Sequence, residues 1–254
     1  MWWQVLIGMG ILVVIAGFLC RRKPEPKPDN PYKWIRGILT LNPIPTAKEI
    51  KDMGFNVLLP FGHKYDNQKA FIKEYAGLGG KVIMPIDTDV NIPLGSILGY
   101  FLMDEPDCRK IPVADMEEKL KKARGWTKKP IGCGFCGYIG CGLGHKEEWI
   151  KFINKLDFVL LTAYPYKQSI PSALDELNKL SNELWKDVKV PIIPYTQAIW
   201  GDYGHAVFTK PDIKKQLDFW KDRGYGNIAY TWDDGRRSGV KFSKEEWEEV
   251  LKKY

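Results

Sequence analysis

From Lys33 onward, short apolar runs alternate with longer amphipathic ones. This alternation predicts strands buried in a parallel sheet, separated by helices that cover it. Eight apolar runs qualify as strands, at 35–42, 56–62, 81–87, 98–105, 130–138, 157–166, 190–197 and 226–234. Between them lie helix-like stretches such as "NQKAFIKEYAGLGG", "VADMEEKLKKARGW" and "KPDIKKQLDFWKDRGYG", and the chain closes on "SKEEWEEVLKKY". Their ends carry helix signals: Thr46 stands as an N-cap before "AKEI", Pro211 falls in a first turn, and Gly224 follows "DFWKDR". The stretch after the third strand, "TDVNIPLGSI", is short, so a reduced helix or a turn is expected there.

Eight strands with interleaved helices in about 220 residues predict a (β/α)₈ TIM barrel over 34–254. An open doubly wound sheet fits less well, because the turn after the first strand, "TLNPIPTA", lacks the glycines of a phosphate-binding fingerprint.

Ahead of the barrel, residues 2–20 are apolar apart from Gln4, long enough for one transmembrane helix or signal anchor. Trp2 and Trp3 at one end and Arg21, Arg22 and Lys23 at the other suit the two interfaces of a bilayer. Phe18 and Leu19 are bulkier than the small residues that precede a lipidated cysteine, so Cys20 reads as part of the span. Residues 21–33, "RRKPEPKPDNPYK", read as an extended Pro/Lys-rich linker. A single-pass membrane protein is therefore expected. The cations after the span place the barrel in the cytoplasm by the positive-inside rule, whereas its predicted function favours the extracytoplasmic side.

Composition changes the picture little. At 44% hydrophobic and 13% aromatic, disorder is excluded for the bulk of the chain. The net charge of +7 raises a nucleic-acid partner as a question. Lys and Glu are mixed along the same helices, as in "MEEKLKKAR", which describes a solvated surface and predicts no nucleic-acid partner. A monomer is expected.

In a barrel of this kind the active site lies where the C-terminal ends of the strands converge. The residues predicted there are Asn42, Phe61, His63, Asp87, Asp89, Asp104, Glu105, Tyr138, Tyr164, Tyr166, Gln197, Trp200, Trp232, Asp233 and Asp234. Aromatic faces stack on sugar CH groups and acids handle the glycosidic oxygen, so the set points to a carbohydrate pocket. Asp87, Tyr164, Tyr166, Gln197, Trp200 and Trp232 are its candidate substrate contacts. His63 and His205 are single histidines without a partner at metal spacing, so no metal and no cofactor is expected. Cys108, Cys133, Cys136 and Cys141 fall near one rim. Outside the cell they are candidates for one or two disulfides; inside it, for reduced thiols or a zinc site.

The string "YFLMDEPD" at the fourth strand, "AYPY" at the sixth and "YTWDDG" at the eighth resemble the glycoside hydrolase-like (β/α)₈ barrel superfamily, in which Asn-Glu-Pro or Asp-Glu-Pro ends the fourth strand. The resemblance implies that Glu105 is the proton donor to the leaving oxygen. Asp104, the adjacent strand residue, either orients substrate or turns away to bond a neighbouring loop. The resemblance also implies a glutamate nucleophile at the end of the seventh strand, where this chain has Gln197, an amide that cannot displace. Three readings stay open. Asp233 or Asp234 serves as nucleophile or base; a substrate acetamido group attacks, with Asp104 and Tyr164 in the same pocket; or the barrel binds glycan without hydrolysing it.

Overall fold

Eight parallel strands pair in chain order and the last pairs with the first, closing a barrel. The computed structural model describes residues 30–39, 46–60, 67–140, 145–163, 173–197, 210–230 and 244–251. The strands are β1 (Arg36–Ile38), β2 (Val57–Leu58), β3 (Lys81–Pro85), β4 (Ile97–Phe101), β5 (Ile131–Phe135), β6 (Phe158–Ala163), β7 (Ile192–Gln197) and β8 (Asn227–Tyr230). Every one falls inside a run predicted to be a strand except at Ile97, and each is shorter than that run. The helices are α1 (Ala47–Asp52), α2 (Gln68–Gly77), α3 (Val113–Trp126), α4 (Lys146–Ile153), α5 (Ala173–Lys179), α6 (Lys210–Asp222) and α7 (Lys244–Leu251). The short unit after β3 is a single 3₁₀ turn, Leu94–Ser96, as its sequence predicts.

Local chemistry explains the helix boundaries. Thr46 caps α1 through a reciprocal box: its Oγ1 accepts from the Glu49 N–H at 3.1 Å, and the Glu49 carboxylate accepts from the Thr46 N–H at 2.7 Å. After α6, Gly224 takes φ +71, a left-handed turn that glycine enters without a Cβ clash.

Strand alternation divides the apolar residues between two layers. Val57, Leu59, Ile83, Phe101, Phe158, Leu160, Ile193, Tyr195 and Ile228 fill the barrel interior. The Phe158 ring stands where a Cβ on Gly132 would be, 2.2 Å away, and only 3.0 Å from one on Gly99. The glycines of β4 and β5 therefore make room for one large ring at the barrel axis. Between sheet and helices, Trp149, Trp185 and Trp220 are fully buried, and the last two stack with centroids 5.5 Å apart. Truncating any one of these to alanine is expected to cost on the order of 3–5 kcal/mol.

Among the described residues no helix is long and apolar enough to cross a membrane. Residues 1–29, where the span and most of the linker are expected, lie outside the described residues.

Candidate active site

The ladder between β4 and β5 continues beyond the regular strands. Gly134 donates its N–H to the Met103 carbonyl at 2.9 Å, and Glu105 donates its N–H to the Gly134 carbonyl at 3.0 Å. This carries the chain in register to the mouth of the barrel and delivers Asp104 and Glu105 there, as the fourth-strand motif predicts. Glu105 then turns sharply. Its φ is +45, a conformation that side chains with a Cβ seldom adopt. Its carbonyl accepts from the N–H groups of Cys108 and Arg109 at 3.1 and 3.0 Å, which closes the turn.

Space for the acids comes from glycine. A Cβ on Gly134 would lie 2.8 Å from Asp104 Oδ1 and 3.1 Å from Phe101 Cζ. The Asp104 carboxylate thus lies over the end of β5, where Arg109 approaches its Oδ2 at 3.6 Å.

Three charged neighbours of Glu105 complete the electrostatics. Burial pushes its carboxyl up to about 7, the negative charges of Asp104 and Asp107 push in the same direction, and the Arg109 guanidinium opposes them. A carboxyl with that value is half protonated at neutral pH, which suits a group that donates a proton and takes one back. Asp107 is completely buried. It accepts from the Gly140 N–H at 3.0 Å and the Cys136 N–H at 3.5 Å, and so pins the loop after β5 to the turn after β4. Burial raises its own carboxyl, and those backbone bonds draw it partly back. On its other side the β5 loop is held by β6 and by the π turn that extends α5: Gly137 donates to Thr162 Oγ1 at 2.8 Å and accepts from the Trp185 indole at 2.8 Å.

The remaining predicted residues divide clearly. Asp87 follows β3 with its side chain 84% exposed, and its carboxylate meets Lys119 of α3 at 3.5 Å. Gln197 is the last residue of β7 and pairs with Tyr230 of β8, so residue 197 stands at the mouth end of its strand. Asn42, Phe61, His63, Cys141, Tyr164, Tyr166, Trp200, His205, Trp232, Asp233 and Asp234 lie outside the described residues.

Among the cysteines, Cys108 is disulfide-bonded, while Cys133 and Cys136 take part in no disulfide. Neither of these two therefore forms the disulfide weighed for it from the sequence. Cys133 is buried on the helix-facing side of β5 with its Sγ 3.1 Å from the Met103 carbonyl, and burial holds its thiol protonated well above the usual range. No group of three or more metal-ligating side chains occurs among the described residues.

Two residues that matter to the acid carried no assigned role in the sequence reading, Asp107 and Arg109. Both lie within four positions of Glu105 in "DEPDCR", and that proximity was the available signal.

Eight parallel strands closed in chain order define the class by fold, a (β/α)₈ barrel. Solved structures of similar fold include a GH18 chitinase from Pseudoalteromonas aurantia, with TM-score 0.55 and 10% identity over 85% of this chain and 99% of that one. A GH113 β-1,4-mannanase has TM-score 0.50 and 10% identity over 87% of this chain and 99% of that one. No family model and no curated protein matches the sequence.

Proposed function

We propose that this protein is a glycoside hydrolase that cleaves glycosidic bonds in a poly- or oligosaccharide, with Glu105 as general acid. The observation that carries the proposal is the Glu105 carboxyl, half-buried at the barrel mouth beside Asp104 and Asp107 and raised to about 7. In the reaction Glu105 gives its proton to the glycosidic oxygen as the bond from that oxygen to the anomeric carbon breaks. The bonding electrons leave with the oxygen. The electron-poor sugar is then taken by a nucleophile on the opposite face, for which Asp233, Asp234 and a substrate acetamido group are the candidates. Likeness to a chitinase and a β-1,4-mannanase makes β-1,4-linked glycans the first substrates to assay.

The test is turnover of a panel of chitin and mannan oligosaccharides by the native protein and by Glu105→Gln. Loss of about two to four orders of magnitude in kcat with KM retained supports the assignment. Unchanged turnover removes Glu105 from the mechanism.

A second reading, a glycan-binding barrel without hydrolysis, is favoured by Gln197 at the end of β7, where the resembling enzymes carry their nucleophile. Glycan binding by calorimetry with no turnover in the same panel selects it. Under either reading, residues 2–20 act as a single membrane span and 21–29 as its stalk, supported by the apolar run and its flanking tryptophans and cations.

A further inference from the structure

We infer that the floor of the barrel, the end where chain enters each strand, is a docking surface for an anionic lipid bilayer. This rests on the membrane-span reading of residues 2–20. Among the described residues the large apolar side chains left exposed are Trp34, Leu78, Leu94, Trp126 and Leu174. The first four lie at the floor. Trp34 precedes β1, Leu78 caps α2 ahead of β3, Leu94 opens the 3₁₀ turn ahead of β4, and Trp126 ends α3 ahead of β5. Leu174, in the first turn of α5 after β6, belongs to the other end.

The floor residues are held in place. Lys129 Nζ donates to the Leu94 carbonyl at 2.9 Å and the Ile97 carbonyl at 3.2 Å, and Lys81 Nζ donates to the Gly95 carbonyl at 2.6 Å. The Trp126 ring packs edge-on against Tyr100 with centroids 4.8 Å apart, yet Trp126 is 59% exposed and Leu94 70% exposed. A packed tryptophan, and a leucine on a turn held by two lysine ammonium groups, match the lipid interface, where indoles sit at headgroup depth and lysines meet anionic headgroups. Lys33 and Lys128 are exposed on the same face.

The stalk also leads to this face. The Asn30 side chain donates to the Ile192 carbonyl at the start of β7, 3.0 Å away, so the chain reaches the barrel at its floor. Residues 21–29 precede that anchor, and at the polyproline spacing of about 3.1 Å per residue this stretch would span roughly 28 Å. A leash of that length holds the floor at an effective concentration of order millimolar against the bilayer, so a weak patch suffices to dock. Docking turns the mouth, with Glu105, away from the membrane.

The test uses the full chain in detergent and in nanodiscs of zwitterionic lipid with or without anionic lipid, acylated at lysine and read residue by residue by mass spectrometry. In anionic discs Lys33 and Lys128 are expected to react about fivefold more slowly than in detergent, while Lys110 and Lys146 near the mouth keep one rate. The double variant Leu94→Ser, Lys128→Glu, altered only at exposed positions, is expected to lose the protection at Lys33. Equal rates at Lys33 in discs and detergent overturn the docking, and co-elution of the chain with the discs then leaves the membrane span standing. A chain that does not co-elute overturns both. Protection at Lys33 that persists in detergent overturns the docking too, since the floor is then covered by the chain's own apolar segment.

Discussion

Asp107 and Gly140, 33 positions apart, are joined by a 3.0 Å hydrogen bond from the glycine N–H to a carboxylate oxygen that no solvent reaches. Through it the turn that carries Glu105 and the loop that follows β5 behave as one wall of the mouth. A carboxylate suits this place because both of its oxygens accept, one from Gly140 and the other from Cys136.

Asp107→Asn keeps the size but supplies a single acceptor, so one backbone N–H then faces an amide NH₂. Stability in urea is expected to fall by about 1–3 kcal/mol. The alkaline limb of the activity profile is expected to move to lower pH, because one of the charges that raise Glu105 is gone. A stability loss with an unmoved limb assigns Asp107 to the wall alone.

The pH dependence of Glu105 follows from its raised carboxyl. As the proposed general acid it must hold its proton, so kcat is expected to decline as pH rises through about 7. Stability has the same sign: the folded state binds this proton more tightly than the unfolded chain, so stability is lost as pH climbs from about 4.5 to about 7. Glu105→Gln removes that loss. It is expected to be more stable than the native protein at pH 8 by on the order of 2–3 kcal/mol, and equal to it near pH 4. Thermal unfolding at both pH values measures this.

Arg109 pairs with Asp104 and draws the Glu105 carboxyl downward. Arg109→Gln is therefore expected to shift the alkaline limb upward by roughly a few tenths of a pH unit, with little change in stability, since the arginine is about half exposed. A limb that moves downward rules out the arginine as an opposing charge.

Two glycines of the β5 segment separate site from scaffold. Gly134→Ala puts a methyl 2.8 Å from Asp104 Oδ1, and a terminal carboxylate can swing away. It is expected to lower turnover by about tenfold or more while costing about 1–2 kcal/mol of stability. Gly137→Ala puts its methyl 2.1 Å from the Thr162 backbone carbonyl, which cannot swing, and is expected to cost about 3 kcal/mol or more. Urea unfolding beside glycan turnover distinguishes the two.

Much of the fold was legible because alternation of apolar and amphipathic segments is itself a consequence of burying a parallel sheet under helices. The cap at Thr46, the turn at Gly224 and the missing helix before β4 follow from local chemistry and appear as predicted. Strand ends were drawn too long. The run 98–105 stays apolar to Met103, but regular strand stops at Phe101 because Glu105 must turn through positive φ to enter its loop. The position of Glu105 at the mouth was legible because strand order places strand ends there. Its partners were missed because pattern shows neither which loop a buried carboxylate will tie nor where a guanidinium will fold back.

The amino-acid sequence by itself determined the number and order of the strands, the barrel class and the acid at the end of the fourth strand, since each of these is written in local periodicity or a short contiguous motif. Tertiary structure alone decided that Gly134 opens space for Asp104, that Asp107 closes on Gly140, and that Trp34, Leu94 and Trp126 share the floor to which Asn30 is bonded. Those facts join residues far apart along the chain. They are set by how the barrel closes and by which side chains it leaves in water.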